Sequence, residues 1–404
     1  MAINSTRLER LNIADVFQAT YPKHMKKSII SKIATLVYKI FSIIVFPIAI
    51  CRYIHYKIHT FLGYYLMVPS QSYSKKVKIH FYDAKGNPTK EVKQKKYLRQ
   101  GRQNLKDIFK AETVNIKTAD GVKLNGVFIP SKDLYGRDLK RDGPLIIHFL
   151  GQTGRYEDLG HYKEVVSTIK NHNILVFNDR GVAKSSSIAT RKGLFLDAEA
   201  ILQYAKKRLG VSKEKIILHG HSFGGIKATY LASKHRDIKL LNDRSFSSVE
   251  NACYYMTKEL FRSVFSACLV MPFVLLEKLG PQKIVNRVKD FVTKHDIYFE
   301  KKIQNPIILA KIIGAISSVC AFIFAKAMVF FGWGLSPEKD WQKVKSKKFI
   351  LFLPKDEKIP YEASFFKAVK KTEKQFIRIL DPNCLHWSAI SQDIFNEALN
   401  VLES

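Results

Sequence analysis

From about residue 113 onward, the hydrophobic positions fall into short apolar runs separated by amphipathic stretches. The runs have the length of strands and cover residues 145–150, 174–177, 216–218, 238–242, 349–353 and 375–380. Amphipathic segments typical of helices lie between several of them, near residues 157–170, 194–209 and 226–232. Apolar strands that alternate with helices are typical of a mostly parallel sheet buried on both faces. We therefore predict an α/β fold with helices on both faces of the sheet.

Two further strand-like runs open this region. Residues 114–117 and 122–129 are joined by Thr118-Ala119-Asp120-Gly121, which is a hairpin signal. We expect these first two strands to be antiparallel.

The strand pattern lapses for roughly a hundred residues after residue 250. The apolar pieces 264–276 and 307–335 lie there, and the second is interrupted only by Lys311 and Lys326. These lysines would stand about 22 Å apart along a helix. We predict a hydrophobic helical cap that shields the site and dips into a membrane, with a wholly buried cap as the alternative. The expected division is then 1–110 extension and connector, 111–250 first part of the core, 251–345 cap and 346–404 second part of the core.

The N-terminal extension is apolar and aromatic but carries scattered basic residues. Within residues 29–68, the uncharged pieces 40–51 and 58–68 are shorter than the roughly 20 residues that a spanning helix needs. A helix lying in the membrane interface fits this pattern, and a helix packed on the protein's own core is the alternative. Residues 1–27 are polar and do not predict a signal peptide. The basic stretch 70–110 is interpreted as a connector, with residues 73–82 as a candidate edge strand.

The net charge favours an anionic partner. There are 67 basic and 35 acidic residues, which leaves +32. No nucleic-acid-binding module is visible, so an anionic membrane surface is preferred to nucleic acid, and a simply solvated surface is the alternative. The five cysteines are scattered without metal-ligand spacing, so we expect buried thiols from a reducing compartment and no metal site.

A candidate nucleophile stands at the end of one apolar run. Ser222 follows the predicted strand 216–218, is flanked by Gly220 and Gly224, and precedes a predicted helix. A sharp strand-to-helix turn needs small residues beside the serine, and it exposes the hydroxyl at the carboxyl edge of the sheet. An inert serine in a tight turn is the alternative.

A serine nucleophile needs a base and an acid that orients the base. His386 is the one histidine after residue 356, in the loop between the last predicted strand and helix, so it is the candidate base. Asp356 follows the strand 349–353 and is the candidate acid. Glu357 beside it and Asp243 after the strand 238–242 are its rivals, although Arg244 offers Asp243 a structural ion pair.

Two backbone N–H groups are the candidates for binding the oxyanion of the tetrahedral intermediate. They belong to Phe223, which follows the nucleophile, and to Gln152, in the loop after the strand 145–150. The histidines His148, His219 and His221 are interpreted as residues that pack the turn. This chemistry needs no cofactor.

Together, these residues resemble the α/β-hydrolase superfamily over about residues 113–402. The resemblance is carried by the sequences GHSFGG at 220–225, LGQTG at 150–154 and NDRG at 178–181, with Asp356 and His386. Leu150 stands where the superfamily often has a histidine. The stretch DRSFSS at 243–248 and the apolar extension are further similar to the lipase-like CHLPS proteins of chlamydiae and the SidB-like hydrolases of Legionella. That resemblance implies a bacterial protein delivered into a host cell without a cleaved signal.

We therefore expect a serine hydrolase that cleaves carboxylic esters, most simply those of lipids, and that is membrane-associated or cytoplasmic. Two alternatives stay open. One is an amidase or peptidase with the same triad, and the other is an inactive membrane-docking protein on a hydrolase scaffold.

Overall fold

The computed structural model describes residues 48–69, 78–82, 88–131, 137, 139–160, 171–279, 306–369 and 376–404. Its contacts divide the chain into two units, Met1–Lys57 and Ile58–Ser404. In the first unit, residues 48–57 are helical and expose apolar side chains, including Ile48 and Tyr53. The remainder of that unit, which includes residues 29–47 of the predicted interfacial helix, lies outside the described residues. The boundaries expected at residues 110, 250 and 345 stay predictions.

The second unit contains all of the described strands. They are β1 Lys78–Tyr82, β2 Pro88–Lys93, β3 Glu112–Lys117, β4 Lys123–Ile129, β5 Leu145–Phe149, β6 Asn173–Phe177, β7 Ile216–His221, β8 Lys239–Asp243, β9 Lys348–Phe352 and β10 Ile377–Ile379. Eight of these form one sheet in the order β10-β9-β8-β7-β5-β6-β4-β3. The pairs β3–β4 and β4–β6 are antiparallel, and the other neighbours are parallel. The predicted hairpin and the mostly parallel sheet are confirmed.

Helices cover the sheet on both sides. After the helical residues 58–62 and the π-helical turn Gly63–Met67, the described helices are α1 Gln94–Phe109, α2 Tyr156–Leu159, α3 Arg191–Lys207, α4 Gly224–Lys234, α5 Val249–Leu279, α6 Pro306–Met328, α7 Pro337–Trp341, α8 Phe365–Ala368 and α9 Gln392–Glu403. Most of the predicted helix at 157–170 lies outside the described residues.

The core consists of two layers because successive strand residues point to opposite faces of the sheet. One layer contains Ile147, Leu218 and Leu240. The layer on the opposite face contains Ile217 and Leu241, which are adjacent to them in the chain. The apolar runs are unbroken because both faces of each central strand are buried.

Within residues 70–110, which the sequence indicates as a connector, the described residues 78–82 and 88–109 form strands and a helix. Strand β1 pairs with β2 in a separate two-stranded sheet and does not extend the main sheet. Helix α1 follows and buries Tyr97, Leu98 and Leu105. The spacing of these residues is helical, but the many lysines and arginines on the other faces of α1 hid the apolar stripe in the sequence.

Two long helices occupy the region where the strand pattern lapses. Helices α5 and α6 pack against each other, and residues 280–305 between them lie outside the described residues. Helix α6 buries Ile313, Ser317, Ala321 and Ala325, which recur every four residues. Its other faces carry exposed apolar side chains.

Candidate active site

Ser222 occupies a sharp turn between β7 and α4. Its φ of 53° lies in the left-handed region that residues other than glycine rarely adopt. The Ser222 N–H donates a hydrogen bond to the Asp243 carbonyl oxygen at 2.8 Å, which ties the turn to the end of the neighbouring strand β8. The serine therefore stands at the carboxyl edge of the sheet, at the N-terminus of a helix, as the sequence predicted.

Two glycines make this turn possible. A Cβ atom on Gly220 would lie 2.6 Å from the Gly224 carbonyl oxygen. A Cβ atom on Gly224 would lie 2.0 Å from the Phe149 carbonyl oxygen. Real side chains do not approach a backbone so closely, so the turn requires glycine at both positions.

Asp356 and His386 meet across 30 residues of chain. Nδ1 of His386 lies 2.7 Å from Oδ2 of Asp356, and both side chains are buried. Oδ1 of Asp356 accepts hydrogen bonds from the backbone N–H groups of Lys358 and Ile359 at 2.8 and 2.9 Å. These bonds orient the carboxylate toward the imidazole.

His221, which directly precedes Ser222 in the chain, contacts His386. The rings of His221 and His386 are 5.0 Å apart, and Nε2–H of His221 donates to the His386 carbonyl oxygen at 3.1 Å. A Cβ atom on Gly151 would lie 3.2 Å from Nδ1 of His221 and 3.4 Å from Cβ of Ser222. Nε2 of His386 is buried and makes no hydrogen bond with the described residues. The structure therefore brings His386 to Asp356 but shows no hydrogen bond between His386 and the Ser222 hydroxyl.

The rival carboxylates have other partners. Asp243 accepts two hydrogen bonds from Arg244, at 2.7 and 3.0 Å. Burial by itself would raise the pKa of Asp243, but the adjacent Arg244 charge holds that pKa well below its usual range. Glu357 accepts the backbone N–H of His386 at 2.9 and 3.1 Å, a role that its position in the sequence did not indicate. The structure thus places Asp356, rather than Asp243 or Glu357, on the imidazole of His386.

The two predicted oxyanion donors lie on loops at the same edge. Phe223 begins the turn into α4, and its ring is buried in an apolar cluster with Met67, Val68 and Leu335. Gln152 follows β5, and its side-chain amide donates to the Leu66 carbonyl oxygen. The donor role of their backbone N–H groups stays a prediction.

The other three histidines pack beneath and beside the turn. Nδ1 of His148 and Nδ1 of His219 are 3.1 Å apart on paired strands. Burial and the neighbouring histidines hold the pKa of His148 well below its usual range. Burial also lowers the pKa of His221 to about 3. His148 and His221 are therefore neutral at pH 7.

The sequence NDRG at 178–181 anchors the loop after β6. Oδ1 of Asn178 accepts the backbone N–H of Tyr156 at 2.9 Å. Asp179 forms an ion pair with the buried Lys227 of α4, which is the helix that follows the nucleophile. Arg180 pairs with Asp197 at 2.7 Å, and burial nevertheless raises the pKa of Asp197 to about 6. The partners of this motif were not evident from the sequence.

The segment 58–68 contacts both Trp333, which follows α6, and the residues around Phe223. The ring of His59 stacks on Trp333 at 4.8 Å, and Nε1–H of Trp333 donates to the His59 carbonyl oxygen at 3.0 Å. Met67 and Val68 then reach the cluster that holds Phe223. Part of the predicted extension therefore packs against the residue that follows Ser222.

Within the described ranges, one helical stretch, Lys311–Trp333, has the length and apolar composition to cross a membrane, which is weak evidence by itself. No cluster of three or more potential metal ligands occurs among the same residues.

Comparison with known proteins gives one family. The family model described as Chlamydia CHLPS protein (DUF818) matches residues 9–260, which is more than half of the chain. Protein YfhR of Salmonella typhi is 30% identical over 117 residues, covering 28% of this chain and 38% of that protein. Phosphatidylserine lipase ABHD16A of Macaca fascicularis is 23% identical over 200 residues, covering 48% of this chain and 35% of that protein. The chain spans less than half the length of these curated relatives.

Comparison with solved structures gives α/β hydrolases that are similar to this chain. An esterase of Pyrococcus furiosus matches with a TM-score of 0.44 and 15% identity, covering 73% of this chain and 94% of that chain. An α/β hydrolase of Vibrio vulnificus matches with a TM-score of 0.44 and 16% identity, covering 85% and 91%.

Proposed function

Because the chain belongs to the Chlamydia CHLPS protein family (DUF818) and has the α/β-hydrolase fold, we propose that it is a serine hydrolase that cleaves carboxylic esters. The single observation that carries this proposal is the pairing of Nδ1 of His386 with Asp356 at 2.7 Å, while Nε2 stays buried without a hydrogen bond and His221, next to Ser222 in the chain, bonds the His386 carbonyl oxygen. A carboxylate on Nδ1 fixes the tautomer in which Nε2 is the basic nitrogen. This is the arrangement that a serine nucleophile needs.

The proposed reaction proceeds through an acyl-enzyme. Oγ of Ser222 attacks the ester carbonyl carbon while Nε2 of His386 takes the hydroxyl proton. The carbonyl oxygen becomes an oxyanion, which the backbone N–H groups of Phe223 and Gln152 bind. His386 then returns the proton to the leaving alcohol as the C–O bond breaks. A water molecule, deprotonated by His386, attacks the acyl-enzyme, releases the carboxylic acid and restores Ser222.

Asp356 supports this cycle without being protonated. Its carboxylate stabilises the imidazolium that forms on His386 in each half-reaction. The bonds from the Lys358 and Ile359 N–H groups hold the carboxylate in place. Since the neighbouring His221 is neutral at pH 7, it does not add a positive charge that would oppose protonation of His386.

Labelling with a fluorophosphonate tests the nucleophile. We expect the wild-type protein to be labelled and Ser222→Ala to be unlabelled. Ser245→Ala is the matched control, since Ser245 is also buried beside the turn and its hydroxyl makes no hydrogen bond with the described residues. Equal labelling of wild type and Ser222→Ala would refute Ser222 as the nucleophile. No labelling of a folded wild-type protein would refute the proposal and favour an inactive docking protein.

A lipid ester is the substrate class that the surroundings favour. The buried cluster around Phe223 is apolar and includes Met67, Val68 and Leu335, and long acyl chains bind among apolar side chains. The relative ABHD16A is named a phosphatidylserine lipase. We expect kcat/KM for p-nitrophenyl esters to rise with acyl-chain length and to exceed that for peptide amides. Faster cleavage of the amides would favour an amidase or peptidase instead.

The same proposal places the protein on an anionic membrane surface. Helix α6 turns Ile312, Ile316, Val319 and Ile323 to solvent along its length, and the chain carries a charge of +32. Apolar insertion combined with basic charge is how interfacial helices bind anionic bilayers. Flotation with phosphatidylserine vesicles is expected to recover the protein at low salt. The double variant Val319→Glu/Ile323→Glu should be lost from the vesicle fraction, whereas the exposed control Ile188→Glu should not. Equal flotation of both variants would exclude α6 as the contact.

A further inference from the structure

The proposed catalytic base stands on a segment without regular secondary structure. His386 lies between β10, which ends at Ile379, and α9, which begins at Gln392. Its neighbours Leu385 and Trp387 are 60% and 50% exposed, whereas the imidazole of His386 is fully buried. No ladder of sheet hydrogen bonds sets the position of this backbone. Side chains from elsewhere in the fold must therefore do so.

The loop around His386 is a tight turn. The Ser388 N–H donates to the Leu385 carbonyl oxygen at 3.0 Å, and Oγ of Ser388 accepts the Leu385 N–H at 2.9 Å. These bonds shape the turn but do not attach it to the sheet. Attachment comes from Glu357, which accepts the His386 N–H, from Nε2–H of His221, which donates to the His386 carbonyl oxygen, and from one buried arginine.

That arginine is Arg244. Its Nη1 donates to the carbonyl oxygen of Ser388 at 2.8 Å and to that of Leu385 at 3.3 Å. The two carbonyl groups bracket His386, so one guanidinium nitrogen contacts both ends of the turn. The remaining nitrogens, Nε and Nη2, bind the two carboxylate oxygens of Asp243.

Arg244 is itself fixed by the sheet. Its N–H donates to the Leu351 carbonyl oxygen of β9 at 2.9 Å, and its φ of 47° turns the chain sharply at the end of β8. Asp356, which follows β9, lines the same small cavity as Arg244. Arg244 therefore links the ends of β8 and β9 to the loop that carries the base, through its guanidinium and its backbone N–H.

We propose that Arg244, anchored by Asp243, is a positioning residue that holds the Leu385–Ser388 turn so that His386 faces both Asp356 and Ser222. This inference rests on the proposed function. It also assigns Asp243 a role as the anchor of Arg244 rather than as the acid of the triad. The planar fork of arginine serves two carbonyl groups and a carboxylate at once, which the single ammonium of lysine does not do.

The test compares Arg244→Lys with Arg378→Lys. Arg378 is a matched control because it pairs with Glu397 at 3.5 Å on the exposed surface, so the same substitution there leaves the loop of His386 untouched. Exhaustive fluorophosphonate labelling counts the competent sites, and p-nitrophenyl butyrate hydrolysis gives kcat per labelled site and KM. We expect kcat per site to fall about 100-fold in Arg244→Lys, as misplacement of a catalytic group by about 1 Å does, with KM close to that of the wild type. Arg378→Lys should match the wild type.

The outcomes separate this inference from the proposed function. An unchanged kcat per labelled site in Arg244→Lys, with fewer labelled sites, shows that Arg244 serves stability alone and overturns the inference. If Arg244→Lys does not fold, Asp243→Asn decides, since it keeps Arg244 but weakens its anchor. A fall in kcat per site beyond that of Arg378→Lys supports the inference, and no fall overturns it. A wild-type protein that shows no Ser222-dependent labelling overturns the proposed function and this inference together.

Discussion

Gly224 and Phe149 approach so closely that no side chain fits between them. A Cβ atom on Gly224 would lie 2.0 Å from the Phe149 carbonyl oxygen and 2.8 Å from that of Leu150. This approach brings the start of α4 against the end of β5. It therefore sets the distance between the nucleophile turn and the loop that contains Gln152.

Gly224→Ala should separate these two elements. We expect a loss of about 3 kcal/mol of unfolding free energy from overpacking and loss of fluorophosphonate labelling in the folded fraction. Chemical denaturation measures the first, and labelling measures the second. Gly314→Ala in α6 is the control, since nothing lies within 4 Å of its added Cβ, and it should stabilise the protein by about 1 kcal/mol. A Gly224→Ala protein as stable and active as the wild type would contradict the close approach.

Asp356→Asn should identify the acid of the triad. An asparagine on Nδ1 favours the wrong imidazole tautomer, so we expect kcat to fall by about 10⁴-fold with the fold intact. Asp243→Asn should lower kcat by a much smaller factor, because its carboxylate binds Arg244 instead. The measurement is ester hydrolysis per labelled site. The reverse order of the two effects would make Asp243 the acid.

His221→Gln should change how stability depends on pH. Burial lowers the pKa of His221 to about 3 in the folded protein, against 6.5 ordinarily. Between these values the unfolded chain binds more protons, so the contribution of His221 to stability is complete above pH 6.5 and is lost as the pH falls toward 3. We expect the wild type to lose at most about 1.4 kcal/mol per pH unit relative to the variant in this window. Parallel stability curves from pH 7.5 to 5 would show that His221 titrates normally.

Lys227→Met should destabilise the protein through Asp179. Lys227 is buried in α4 and pairs with Asp179, so its removal leaves a largely buried carboxylate without that partner. Removal of one member of such a pair costs about 3 kcal/mol or more. The double variant Lys227→Met/Asp179→Leu should recover most of that loss in urea unfolding. A single variant as stable as the wild type would show that water already solvates Asp179.

The order of the chain was sufficient to predict much of the candidate site. Ser222 was predicted from the glycines around it, and His386 from its position after the last strand. The choice between Asp356 and Asp243 could not be made in the same way, since both residues follow a central strand and both ends lie at one edge of the sheet. The two carboxylates differ in the partners that they face. Arg244 binds the carboxylate of Asp243, whereas that of Asp356 pairs with His386.

Helix α1 shows a different limit. Its buried Tyr97, Leu98 and Leu105 lie among many basic residues, and the sequence suggested a connector. A helix with a narrow apolar stripe is stabilised mainly by the surface on which it packs, and that surface belongs to residues distant in the chain.

The sequence by itself determined that this protein has a mostly parallel sheet with helices on both faces, because strands buried on two faces require unbroken apolar runs. It also indicated a serine turn, because only glycine tolerates such close backbone contact. The tertiary structure alone decided which carboxylate meets His386, what holds the loop of His386 and which segment covers Phe223. Those relationships join residues such as Arg244 and Ser388, which are far apart in the chain. No local sequence pattern predicts such a contact, because it forms only when the sheet brings its strand ends together.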